Sequence, residues 1–391
     1  MHTEGVRDAG NQASVSLTAT RRPELLVLTS VRALAALEVV LLHTLFELGG
    51  PSVRALPLIL REGLTSGGLA VSFFFVLSGF ILTYTYSNRD GGLKGTPQKF
   101  WRARVARIYP LYFLAFAMDA PRAISFFLGS AASLASALAK IGIAGLAYLT
   151  LLQSWHPRVT NSWNTPGWSL STEAFFYAVF PALVAVTKPW RFQRLFGAAI
   201  ALWAVPIIAY TILFYSHTVD LTSAGAKTFW RSFPPLRLSE FVFGVAAGRL
   251  FLSGRLEPHL KWLRLFGFVA CASILALPVC TLVLPEAVVN NTLDAPLFAV
   301  AILAAASGAI PTPGWLSAPP LVLLGRASYA VYIIHQPFKL IFLKLARLVG
   351  LESPSPALLL SYLVSLELSC IALFLWFEDP VRRLITKAPS R

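Results

Sequence analysis

Residues 26–43 read LVLTSVRALAALEVVLLH, an apolar run in which Arg32 is followed eleven residues later by His43. Eleven residues make about three helical turns, so both side chains share one face, roughly 16 Å apart along the axis. Ionisable groups at membrane depth cost energy and ordinarily face a cavity or a partner, which makes them functional candidates. The run predicts a spanning helix that holds a base at one depth and a fixed cation at another.

The rest of the chain agrees with that solvent. Of 391 residues, 56% are hydrophobic and only 13% charged, with a mean hydropathy of +0.66. A soluble domain carries nearer a quarter charged, so the composition is that of an all-α integral membrane protein. The formal charge of +15 does not mark a nucleic-acid binder. Its basic residues cluster in short loops between apolar runs, as the positive-inside rule requires. Cys271, Cys280 and Cys370 lie in apolar runs without ligand-like spacing, so neither a disulfide framework nor a metal site is expected.

Apolar segments long enough to cross about 30 Å of hydrocarbon begin near residues 25, 69, 103, 168, 195, 237, 264, 293, 321 and 357. They predict a polytopic bundle of about ten transmembrane helices in one membrane domain over 23–383. Residues 1–22 read as a disordered cytoplasmic tail and 384–391 as a second cytoplasmic tail. The first apolar segment reads as a spanning helix, not a removable signal. Basic clusters at 89–104, 188–194, 249–264 and 382–387 all fall on the cytoplasmic side if both termini do. That requires residues 121–153, rich in Ala, Gly and Ser, to be re-entrant or to cross an even number of times. The chain is then a multi-pass protein of the cell membrane, with lipid around it.

Several short patterns carry side chains suited to chemistry. Arg104 and Arg107 lie three apart on one helical face, a fork for phosphate or carboxylate; a snorkelling anchor fits the same spacing. Thr165 and Pro166 read as an N-cap and first helical position. Glu173 lies two turns deeper, too far to cap, with Ser169 and Tyr177 one turn to either side. Arg237 and Glu240, followed by Gly244 and Gly248, read as an internal ion pair beside a close helix contact. Ser328, Tyr332 and His335 share a face just before Pro337, and the FEDP motif at 377–380 reads as an interface anchor. No Walker glycine loop, His-Glu-x-x-His or Gly-x-Ser-x-Gly is present, which removes support from ATP-driven transport, zinc hydrolysis and ordinary serine hydrolysis.

Together these segments resemble the acyltransferase-3 family of integral membrane O-acyltransferases. The marks are Arg32 with ten residues before His43, FFVLSGF at 74–80, RVARIYP at 104–110 and WSLSTEAFFY at 168–177. RLSEFVFG at 237–244, SYAVYIIH at 328–335 and FEDP at 377–380 continue the series in the family's order. The resemblance implies transfer of an acyl group, often acetyl, from acyl-coenzyme A to a hydroxyl. The implied acceptor is a carbohydrate or glycosylated molecule, either a surface-polysaccharide sugar or a macrolide sugar. It makes His43 the general base or an acyl carrier, and Glu173 a second catalytic group that orients His43 or binds the acceptor. Arg32, Arg104 and Arg107 would hold the donor, and Trp168, Ser171, Tyr177, Ser328, Tyr332 and His335 would contact substrate. Larger members of that family carry an extra esterase-like domain; none is read here after Arg383, so any second transfer step is expected to need a partner or not to occur.

Esterification must remove a proton from a hydroxyl as it attacks a thioester, work for which a neutral imidazole is suited. The rival from another class is a proton-coupled transporter using His43 and Glu173 as a relay, since buried His and Glu also serve there.

Overall fold

A computed structural model describes residues 22–280, 294–351 and 353–387. The bundle is built from α1 (Leu26–Leu48), α2 (Gly67–Tyr86), α3 (Pro97–Ser130), α4 (Leu134–Leu149), α5 (Gly167–Thr187) and α6 (Phe192–Ser216). It continues with α7 (Leu238–Leu252), α8 (Leu260–Cys280), α9 (Asp294–Ala306), α10 (Pro319–Leu348), α11 (Pro356–Leu373) and α12 (Asp379–Lys387). No strand is found among the described residues. Each expected span has a helix starting within six residues of it. By length and apolarity, however, 7 helices qualify as spanning among the described residues. The segments α7 and α9 are short, at 15 and 13 residues, and α10 carries Arg326, Lys339, Lys344 and Arg347 within its apolar run.

The expected tails fall largely outside the described residues, which begin at Arg22 and end at Lys387. Residues 384–387 belong to α12, whose alternating apolar and basic faces give a reason for a helix there rather than a tail. The stretch 121–153 divides between two helices. Its first part extends α3, at 34 residues about 51 Å long, and its second part is α4. Tyr109 and Tyr112 of α3 donate to the carbonyls of Leu149 and Tyr148 at 2.9 and 2.8 Å, so α4 folds back along α3. Ser133 caps α4 through the Ser136 amide.

Two close helix contacts fix the centre. A Cβ at Gly244 of α7 would overlap the Val76 carbonyl of α2, and one at Gly79 would overlap the Phe241 carbonyl. Small residues at those positions let the two backbones touch, the packing that substitutes for a hydrophobic drive inside lipid. Gly325 of α10 approaches the Thr29 carbonyl of α1 in the same way.

The basic clusters converge on one end of the bundle. Lys188 pairs with Asp90 at 3.4 Å, Arg249 donates to the Thr187 carbonyl at 2.6 Å, and Arg102 donates to the Thr386 carbonyl at 2.6 Å. At the other end the Ser355 amide donates to the Leu48 carbonyl at 2.7 Å, joining α11 to α1. The first is the arginine end of the bundle, on the Arg32 side of α1, and the second the histidine end, on the His43 side.

Candidate active site

Two cavities lie one beyond the other along α1. The first, of about 150 Å³, contains Arg32, Arg104, Arg107, Glu173 and Tyr177, with Ser328 on its α10 wall. Arg104 donates to the Tyr86 hydroxyl at 2.7 Å and lies 5.0 Å from the centroid of that ring. Arg107 lies over Tyr329 at 5.5 Å and pairs with Glu378. Glu173 accepts from Ser78 at 3.3 Å and from the Tyr177 hydroxyl. The three guanidiniums and two carboxylates leave one surplus positive charge. The Ser328 hydroxyl and Arg104 Nε are buried here without a hydrogen-bond partner. The planar forks and surplus charge suit a phosphate-bearing ligand.

The second cavity, of about 330 Å³, is lined by His43, Glu62, Thr165, Trp168 and two arginines, Arg231 and Arg237. Arg237 is already engaged. It is 1% exposed, donates to both Glu240 oxygens at 2.8 Å and to Ser72 at 2.9 Å, and lies over Phe75 and Trp168. The expected internal ion pair beside Gly244 is therefore present, and it also forms part of a cavity wall. Such a pair seldom adds net stability, yet removing one partner strands a buried charge at a cost of about 3–5 kcal/mol.

Val71 and Tyr332 line both cavities and so form the partition between them. The Tyr332 hydroxyl sits 2.6 Å from the Ser169 hydroxyl and 3.3 Å from the Pro166 carbonyl. Phe74 meets the Tyr332 ring edge-on. The seam expected on α10 thus runs from Ser328 in the arginine cavity, through Tyr332 at the partition, to His335 behind His43.

His43 is reached from α1 and α10. Its Nδ1 lies 2.9 Å from the Val39 carbonyl and 3.2 Å from Nε2 of His335. His335, expected to contact substrate, is wholly buried and lines neither of these two cavities; its Nε2 faces His43. Ser171 also lines neither; it donates to the Leu151 carbonyl at 2.6 Å and accepts from the Ser154 amide, pinning the chain between α4 and α5. Glu173 is not brought to His43. It faces the arginine cavity because the two residues lie on opposite sides of the Tyr332 partition. Thr165 is no side-chain cap either. The α5 helix starts at Gly167, whose amide bonds the Asn164 carbonyl at 2.9 Å. Thr165 instead lines the histidine cavity.

Glu378, read from the sequence as part of an anchor, is 1% exposed and reaches Arg107. The signal that could have found it is its place: a carboxylate beside the apolar run ending α11 needs a cation. Val71 and Arg231 carried no comparable sign, because only tertiary packing makes them walls; Ser169 was visible one turn from Glu173, but its partner Tyr332 was not.

An arginine-lined cavity meeting a histidine-lined one sets fixed positive charge next to an imidazole inside a helical bundle. A family model described as an acyltransferase domain matches residues 26–375, and the chain belongs to the acyltransferase-3 family. It is 31% identical over 280 residues to acyltransferase MdmB of Streptomyces mycarofaciens, covering 69% of this chain and 68% of that one. It is 29% identical over 326 residues to exopolysaccharide production protein ExoZ of Rhizobium meliloti, covering 82% and 90%. A shorter match, 49% over 57 residues, joins 14% of this chain to 29% of protein 2 in the picA locus of Rhizobium radiobacter. No solved structure matches. The protein is an acyltransferase, and the transporter reading is not favoured.

Proposed function

We propose that this acyltransferase moves an acyl group, acetyl in the first instance, from acyl-coenzyme A in the arginine cavity to a carbohydrate hydroxyl in the histidine cavity. The observation that carries the reading is the shared partition: one wall, Val71 and Tyr332, separates three arginines from one half-buried imidazole. Acyl-coenzyme A has its phosphates and its thioester at opposite ends of a long flexible arm. Arg32 and His43 are likewise at two depths of one helix, roughly 16 Å apart. With the phosphates on Arg32, Arg104 and Arg107, the arm would extend past Tyr332 and place the carbonyl carbon near His43. By the positive-inside rule the arginine end faces the cytoplasm, and the histidine end the outer leaflet.

The acceptor oxygen attacks the thioester carbonyl, its proton passes to His43 Nε2, the carbon–sulfur bond breaks, and the imidazolium returns the proton to the departing thiolate. Direct transfer is favoured over an acyl-histidine relay because one base then serves both the attack and the departure. Glu173, hydrogen-bonded to Ser78 and Tyr177, holds the arginine cavity in shape rather than orienting the base. A carbohydrate acceptor is supported by the similarity to a protein named for exopolysaccharide production.

Membranes containing the wild type or His43→Ala, given acyl-labelled acetyl-coenzyme A and polysaccharide fragments, test the reading. The expected result is histidine-dependent release of free thiol with label on the sugar. Equal turnover by His43→Ala, at matched amounts of folded protein, would overturn the base assignment.

A further inference from the structure

We propose that His335 is a positioning residue that fixes the tautomer of His43 and shares the charge it acquires; this rests on His43 being the base. A carbonyl oxygen can only accept, so His335 Nδ1, 2.8 Å from the Tyr332 carbonyl, carries its hydrogen. In a neutral ring the other nitrogen, Nε2, is then a bare lone pair, and it points at His43 Nδ1 from 3.2 Å. His43 Nδ1 also lies 2.9 Å from the Val39 carbonyl. Two acceptors therefore converge on one nitrogen and hold the hydrogen of His43 on Nδ1. Its Nε2 is left without a proton and without a partner among the described residues, on a ring that lines the cavity. That is the nitrogen a base must present.

The second imidazole does the work that a carboxylate does beside many catalytic histidines. No carboxylate among the described residues touches His43. Glu47, one turn further along α1, is taken by Lys339 at 2.5 Å. Lys339 and, across the cavity, Arg231 are the cations that bear on His43, and Glu62, on the wall of the same cavity, forms no ion pair with it among the described residues. The lone pair of His335 and the Val39 carbonyl are what remain to stabilise the imidazolium.

His335 is itself held firmly. The Tyr362 hydroxyl donates to its backbone carbonyl at 2.7 Å. Pro337 lacks an amide hydrogen and frees the Ile333 carbonyl, which Asn164 then fills at 2.9 Å. That bond ties α10, beside His335, to the segment that carries Thr165 into the acceptor cavity.

The test compares His335→Leu, which removes the acceptor, with His335→Gln, whose amide oxygen can reach the place of Nε2. With matched folded protein, kcat of His335→Leu is expected to fall by about 10²-fold while KM for donor and acceptor stays within about two-fold. His335→Gln is expected to recover most of that loss. A second readout does not depend on turnover: nitrogen-15 spectra of histidine in membranes should show a single Nδ1–H tautomer for His43, becoming mixed in His335→Leu. Full activity in folded His335→Leu, a glutamine variant no better than leucine, or an unchanged tautomer would each overturn the inference. Those results beside an inactive His43→Ala would leave the base reading intact, whereas an active His43→Ala would remove both.

Discussion

Arg107 shows how one side chain can serve both structure and binding, and how the two are separated. It pairs with Glu378 on one side and lines the arginine cavity on the other. Glu378→Ala should cost about 3 kcal/mol, the range for stranding a largely buried charge, seen as a lowered melting temperature in detergent. The exchange Arg107→Glu with Glu378→Arg should restore melting but not donor binding, because the cavity then presents a carboxylate to phosphates. Recovery of KM for acyl-coenzyme A by the exchange would show that Arg107 acts only as half of an ion pair. Arg104 has no carboxylate partner among the described residues and leans on Tyr86. Arg104→Ala should therefore raise KM for the donor at least tenfold with melting nearly unchanged. The spacing of Arg104 and Arg107 was legible in the sequence. Their different partners were not, since Tyr86 and Glu378 are brought to them by helices 18 and 271 residues removed.

The packing of α2 on α7 sets backbone directly against backbone. A methyl group at Gly244 meets backbone, the Val76 carbonyl, which cannot rotate aside. Gly244→Ala should destabilise by at least about 1–3 kcal/mol, the cost of overpacking, and disturb Glu240 one turn away and, through it, Arg237. Gly142→Ala in α4, where nothing lies within 4 Å, is the control and should be neutral or slightly stabilising. Melting curves of the two variants check the contrast; equal stability would mean that the helices can part without cost. The helix starts were readable because apolar runs and basic breaks alternate along the chain. The return of α4 along α3 was not, because the bonds that make it, from Tyr109 and Tyr112 to carbonyls, use backbone acceptors that leave no sequence pattern.

Across the whole molecule, the arrangement that matters is two cavities on one axis, with three arginines toward one end and the imidazole toward the other. The order of Arg32 and His43 along one helix already implied two depths. The partition between them could not be foreseen, since it is made by Val71 and Tyr332 from different helices, with Tyr332 held by Ser169. Such an arrangement allows donor and acceptor to approach from opposite faces of the membrane without either crossing it. Vesicles with the protein in a single orientation, loaded with an oligosaccharide acceptor inside, separate this from same-side chemistry. Labelled acetyl-coenzyme A is added only outside, where the arginine end is exposed. Label appearing on the enclosed sugar, abolished by His43→Ala in intact vesicles, is the expected result. Product formed only when donor and acceptor share one compartment would contradict it.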